Sequence, residues 1–238
     1  VNRTNADSVS NAARAANLEL YEQASTVSGY VLSRYHAKRR ELASGLLARS
    51  LASMPTGPLL EIGSSAESLI PSLSGRQVIT SDISLGALYE AKAAGVCLNA
   101  ANGLPFRDAS VAAVVSGELI EHIFDVRAMV EEFRRVIKPG GVLVLTTPNL
   151  ATLQDRLRFL TGASPRQVDP LHPYLHLHIR PFTASALRRL LRTCGFEVTA
   201  LRSNFVGWEW NGHWLEWRWP ARLVPGIGGS LIVAARRR

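Results

Sequence analysis

Cysteine is scarce in this chain. Cys97 and Cys194 are the only two, far apart and without metal-ligand spacing. That excludes a disulfide scaffold and suits a reduced, cytoplasmic protein. No apolar run approaches the ~18 residues of a membrane-spanning helix. The opening stretch from Val1 to Asn17 is polar and lacks the apolar centre of a signal peptide. Val1 in place of methionine reads as a trimmed chain or a literally translated alternative start codon. Internal repeats and low-complexity segments are absent as well.

Excess charge is missing from the first part of the chain. Residues 1–149 carry 14 basic and 14 acidic side chains, whereas residues 150–238 carry 13 and 5, so the whole net charge of +8 lies in the C-terminal part. Such asymmetry favours an acidic partner there, and a solvated basic face serves equally well as an explanation. Hydrophobic residues make up 47% of the 238, ample for one domain with an appended cap.

Glycine is missing where a dinucleotide site would need it. The stretch from Pro58 to Ser68 is a short apolar run ending in Glu61 and Gly63, then small residues, then a helical pattern at Leu69, Ile70 and Leu73. It reads as a buried parallel strand, a tight turn and a helix start, the ligand edge of an α/β sheet. A second strand, Gln77 to Ser81, stops on Asp82, an acid placed to bind ribose hydroxyls. A pyrophosphate cradle needs three glycines, yet Ser65 and Glu67 stand at the second and third positions. The Glu67 carboxylate would repel a pyrophosphate, which disfavours NAD. S-adenosylmethionine carries no phosphate, and its sulfonium and ammonium are cationic.

Several further motifs follow in order: Gly103-Leu104-Pro105-Phe106, then Glu118-Leu119-Ile120-Glu121-His122, then Lys138-Pro139-Gly140-Gly141. With Glu61-Ile62-Gly63 and Asp82, their order and spacing resemble class I S-adenosylmethionine-dependent methyltransferases, nearest to the small-molecule type that includes quinone-biosynthesis and glycan or lipid-pathway enzymes. The resemblance covers roughly residues 57 to 200. It implies a Rossmann-like, doubly wound sheet of seven mostly parallel strands with the last one antiparallel. It also implies cofactor contacts from Glu61, Gly63, Ser64, Ser65, Asp82, Ile83, Asn99, Ala100, Ser116 and Glu118. Asn99 or Asn102 falls where the family has an aspartate reading the adenine amino group, and asparagine can still accept that bond. Ala112 stands where an aspartate is common.

The rest of the chain is read by pattern. A leading helix spans Val31 to about Ser53, and residues 1–30 form a segment able to close over the site, ahead of the methyltransferase domain at 31–238. Helices are expected over Ser84–Ala94, from Val126 to the stop at Pro139-Gly140-Gly141, and over Ala184–Cys194. Strands are expected over Val96–Leu98, Val111–Val115, Val142–Thr146, Phe196–Leu201 and Ser230–Ala235.

Methyl transfer needs a base only for a weakly acidic acceptor. His122 follows the fourth strand, and His178 belongs to a His-x-Arg-x-Phe-Thr pattern completed by Arg180, Phe182 and Thr183. By resemblance these two histidines are the candidate catalytic bases, and Arg180 steers a phosphate or carboxylate of the acceptor. The plainer reading makes Glu121 and His122 loop-orienting residues. A divalent cation could sit on Glu118, Glu121 and His122, or on His172, His176 and His178, but no metal is the preferred reading for either set.

All five tryptophans fall within twelve residues of the 206–225 insertion between the last two strands. So short a segment cannot bury them all. They are read as covering a dimer contact or as a lid in which Trp214 and Trp217 bind a bulky apolar or lipid-linked acidic acceptor, with peripheral membrane contact. The expected function is S-adenosylmethionine-dependent methylation, on oxygen, of a small-molecule, glycan or lipid-linked acceptor. The rivals are a non-catalytic homologue that binds cofactor or partner, and a nucleic-acid methyltransferase, against which no RNA-binding module is recognisable.

Overall fold

A computed structural model describes residues 34–64, 68–70, 76–90, 95–169, 178–210 and 213–238. The proposed lid at residues 1–30 lies outside these. Seven strands form the main sheet: β1 (Leu59–Ile62), β2 (Val78–Asp82), β3 (Gly95–Cys97), β4 (Val111–Gly117), β5 (Ile137–Pro148), β6 (Phe196–Arg202) and β9 (Ser230–Arg237). Their order is β3-β2-β1-β4-β5-β9-β6. All run parallel except β9, which slots antiparallel between β5 and β6. The anticipated seven-stranded, mostly parallel architecture is the one observed. A separate hairpin, β7 (Val206–Trp210) and β8 (His213–Trp217), carries four of the five tryptophans.

Strict alternation sorts the strands between two cores. Leu143 and Leu145 of β5 and Leu231, Val233 and Ala235 of β9 face one side, where they meet α3 (Val126–Val136) and α5 (Ala184–Thr193). Val142, Val144, Ile232 and Ala234 face the other, under α1 (Arg34–Ser50), and a short α2 (Leu85–Glu90) follows β2. Burial on both faces is why these strands read as continuous apolar runs. Helix α3 starts because the Asp125 side chain caps Ala128 N, and it buries Met129, Val130, Phe133 and Val136 at helical spacing. Helix α5 starts likewise on Thr183 and ends before Gly195, whose φ of +81° supplies the left-handed cap.

Two boundaries differ from the sequence pattern. Helix α3 stops at Val136, ahead of Pro139-Gly140-Gly141, because Ile137 already pairs with Val111 as the start of a long β5. Pairing, not the glycines, ends the helix. The leading helix closes at Ser50 with a 3₁₀ turn over Leu51–Ser53, and its buried face includes the polar His36 and Arg39. Within the insertion, the hairpin is followed by a short helix, α6 (Arg218–Leu223). The irregular stretch after β5 holds α4 (Leu153–Leu160), capped by Thr152 and tied down by buried Asp155, which pairs with Arg166.

Candidate functional site

The strand order reverses between β1 and β4, so the crevice outside their carboxyl ends is where an open α/β sheet takes its ligand. Three turns meet there. Gly63 leaves β1 with φ +72°, a conformation costly for any side chain. Its amide and that of Ser64 both donate to Ser81 O, at 2.8 and 3.1 Å. Asp82 ends β2 one residue beyond the Ile62–Ser81 pair, and its Oδ1 accepts from Ser84 N at 2.9 Å. The hydroxyls of Ser64 and Ser116 are buried without a partner among the described residues.

The Glu61 carboxylate is engaged by the chain just beyond the turn. It is buried, and its two oxygens accept from the Ser68 hydroxyl and from Leu69 N. Burial raises its pKa while those bonds oppose the rise. These bonds hold the chain beyond the turn. Asn99 likewise spends its side-chain oxygen on Ala101 N at 3.1 Å, capping a 3₁₀ turn over Ala100–Asn102. Ala100 is buried there, and Ile83 O accepts from the Cys97 thiol. Ser65 lies outside the described residues, as do His172 and His176. The Leu104–Phe106 loop is clamped from α3, where Arg135 donates to Leu104 O and Phe106 O, and Glu132 accepts from Leu104 N.

The acidic motif after β4 splits its two carboxylates between different partners. Glu118 sits at φ +50°, unusual for a residue with a side chain. Its amide donates to Thr146 O, and its Oε1 accepts from Thr146 Oγ1 at 3.1 Å and lies 3.7 Å from Arg39 of α1. Arg39 also donates to Thr146 Oγ1 at 2.8 Å. Glu121 accepts from Thr147 Oγ1 at 2.9 Å through Oε2, while its buried Oε1 has no partner among the described residues. Burial first, then the Glu118 charge, pushes the Glu121 carboxyl well above the usual range. Burial also raises Glu118, against Arg39 and Thr146. The Tyr35 phenol, accepting from Ser230 Oγ at 2.6 Å, is raised by burial and by the nearby Glu118 charge.

The loop ahead of α5 zips onto this motif. Arg180 N donates to Glu121 O at 3.0 Å, Leu150 N donates to Phe182 O, and Arg180 lies over the Phe124 ring at 5.0 Å while donating to Phe124 O. The result brings His178 against His122, ring centroids 4.9 Å apart and nearly perpendicular. Gln167 Oε1 lies 2.8 Å from His178 Nδ1. Glu121, His122 and His178 offer ligand atoms all within 4.8 Å of one another. Glu118 is not part of that group, because Arg39 and Thr146 hold it elsewhere. Trp214 and Trp217 stay on the hairpin. The Trp214 ring meets Phe205, which in turn meets Tyr35, both edge to face.

The supporting residues Arg39, Tyr35, Thr146, Thr147 and Gln167 escape sequence reading. A signal existed for three of them. Two threonines end an otherwise apolar buried strand, and Arg39 lies on the same helical stripe as Ala43, Leu46 and Leu47.

Residues 60–145 match the methyltransferase domain family. A curated protein of Mycolicibacterium smegmatis, named as an S-adenosylmethionine-dependent methyltransferase, is 37% identical over 135 residues, 57% of this chain and 44% of its own. One of Mycobacterium tuberculosis with the same kind of name is 36% identical over 104 residues, 44% of this chain and 33% of its own. The chain thus spans less than half the length of the curated relatives it matches. Among solved structures, magnesium protoporphyrin IX methyltransferase from Synechocystis with bound S-adenosylhomocysteine superposes with a TM-score of 0.56 at 17% identity, over 86% of each chain. The [4+2]-cyclase SpnF superposes with a TM-score of 0.54 at 16% identity, over 83% of this chain and 81% of its own. These likenesses carry the fold alone. Residues 60–145 thus match a methyltransferase domain, set in a chain that has the Rossmann-like fold of S-adenosylmethionine-dependent methyltransferases.

Proposed function

We propose that the protein transfers a methyl group from S-adenosylmethionine to an oxygen of a small-molecule, glycan or lipid-linked acceptor. The observation carrying this reading is the approach of His178 to His122 at the carboxyl edge, beside the β1–β4 crevice. The residues there suit the cofactor. Glu118 beside the crevice suits a cationic cofactor, and the buried hydroxyls of Ser64 and Ser116 suit its polar groups. When bound, the cofactor supplies an electrophilic methyl on sulfur, transferred by in-line displacement.

The chain's residues then have separable tasks. Gly63 and Ser64 keep the turn open at the end of β1, and Asp82 takes the ribose hydroxyls. Arg39 and Thr146 fix the Glu118 carboxylate. His178, oriented by Gln167, or its neighbour His122 accepts the acceptor's proton, and Arg180 draws in an acidic group on the same molecule.

Calorimetric titration with S-adenosylhomocysteine tests the cofactor reading. Asp82→Ala removes one or two charge-assisted bonds, each worth roughly 1.5–3 kcal/mol, so binding is expected to weaken at least about tenfold. Equal affinity in wild type and variant, or a preference for NAD, would overturn the assignment.

A further inference from the structure

We propose that α4, the β7–β8 hairpin and α6 together form a membrane-binding face that seats the protein on an anionic lipid surface with its ligand edge toward the bilayer. The proposal rests on the methyltransferase reading for placing an acceptor at that edge, and on its own observations for the face.

Position comes first. Helix α4 follows the carboxyl end of β5, the hairpin follows the carboxyl end of β6, and α6 leads into the amino end of antiparallel β9. All three therefore rise from one edge of the sheet, the edge that holds His122 and His178. They are joined there: Arg156 of α4 donates to Gly226 O, just beyond α6, and Asn149 at the end of β5 donates to Gly226 O and Gly228 O. The ring series Tyr35, Phe205 and Trp214 runs from the buried Glu118 network out to the hairpin.

Exposure comes second. Phe159 and Leu160 of α4 are 70% and 79% exposed, Trp219 and Leu223 of α6 are 67% and 75% exposed, and Trp217 just ahead of α6 is 42% exposed. Ordinary surfaces scatter such side chains singly, whereas their concentration on two helices that both pack against β7 marks an interaction surface. The two helices are too short to cross a bilayer, and no helix among the described residues is long and apolar enough to do so. An interfacial seat is the remaining way for such elements to meet lipid.

Charge selects the occupant. Helix α6 reads Arg-Trp-Pro-Ala-Arg-Leu, with Arg218 and Arg222 alternating with Trp219 and Leu223 and no carboxylate within it. Neither arginine forms an ion pair with a described residue. Tryptophan at headgroup level with arginine reaching lipid phosphates is the composition of an interfacial anchor. The +8 excess of residues 150–238 adds long-range attraction of the same sign. An acceptor embedded in that surface would present its headgroup to Arg180 and His178 without leaving the bilayer.

Co-sedimentation with mixed phosphatidylcholine–phosphatidylglycerol vesicles, against phosphatidylcholine alone, tests the face. Wild type is expected to partition onto the anionic vesicles and to release in high salt. Leu160→Glu with Trp219→Glu, both on exposed side chains, is expected to lower partitioning at least about tenfold, with S-adenosylhomocysteine binding and the far-ultraviolet circular dichroism unchanged. Failure of wild type to sediment, equal sedimentation of the variant, or indifference to lipid charge would each overturn the proposal. So would a variant that merely dissociates a dimer in size-exclusion chromatography while wild type ignores vesicles. Loss of cofactor binding by wild type with vesicle binding intact would instead strike the methyltransferase reading and leave this face standing.

Discussion

His122 and His178 illustrate how single residues acquire a role from their surroundings. A histidine titrates near neutrality and can serve as base, ligand or core filler. Here His178 has Gln167 on one ring nitrogen, His122 stands against its ring, and Glu121 offers a carboxylate oxygen within 4.8 Å of a nitrogen of each. If the pair accepts the acceptor proton, His178→Ala should lower turnover by about 10²–10⁴-fold while S-adenosylhomocysteine affinity stays near wild type. The acid-side pH dependence of the rate should vanish with it. The measurement is transfer of labelled methyl to extract acceptors across a pH series. Near-normal rates in both His122→Ala and His178→Ala would make the rings structural.

Among the elements, the β7–β8 hairpin shows most clearly how one glycine shapes a surface. A Cβ on Gly207 would lie 2.2 Å from Trp214 Cζ2, because the indole lies flat across the strand at that point. Strand glycines often mark such close approaches. Gly207→Ala should push the Trp214 ring off the strand and away from Phe205, at a cost of about 1–3 kcal/mol. Unfolding should then shift down by several degrees, with a changed near-ultraviolet tryptophan signal. Cofactor binding, proposed for the ends of β1, β2 and β4, should be untouched. An unchanged melting curve and spectrum would show that the ring is not held there in solution.

Across the whole molecule, the network linking α1 to the strand ends makes stability depend on pH in two opposite ways. Burial, aided by the charges of Arg39 and Arg40, lowers His36 to about 3. Above about 6.5 the histidine is neutral in both states and contributes nothing. Below that value the unfolded chain takes a proton that the folded one refuses, so stability falls as pH drops toward 3. Glu121 behaves inversely, since its folded pKa is raised. Below about 4.5 both states are protonated. As pH rises past that value the unfolded chain ionises first, so stability falls toward neutrality. Urea denaturation across pH should show the acid limb, about 1.4 kcal/mol per pH unit for one full proton, flattened in His36→Gln. The loss above pH 4.5 should shrink in Glu121→Gln. Identical slopes in wild type and both variants would place these groups in solvent.

The strand-end motifs were legible in the chain because each depends on neighbours in sequence. Gly63 follows an apolar run, Asp82 ends the next one, and alternation separates the strands' two faces. Local pattern sufficed for the seven-stranded sheet and the cofactor class. Contacts distant in sequence were not legible, since periodicity carries no information about which side chains meet. Arg39 and Thr146 are 107 residues apart, and Tyr35 and Ser230 are 195 apart. The same limit hid the partners that Glu61 and Asn99 find on the chain itself. It also hid the division of Glu118 from Glu121, which depends on a helix packing over the sheet. Sequence by itself determined the sheet, its ligand edge and the neutral and basic halves. Tertiary structure decided which histidines meet and where α3 ends, because burial and pairing across the fold set those outcomes and local propensity does not.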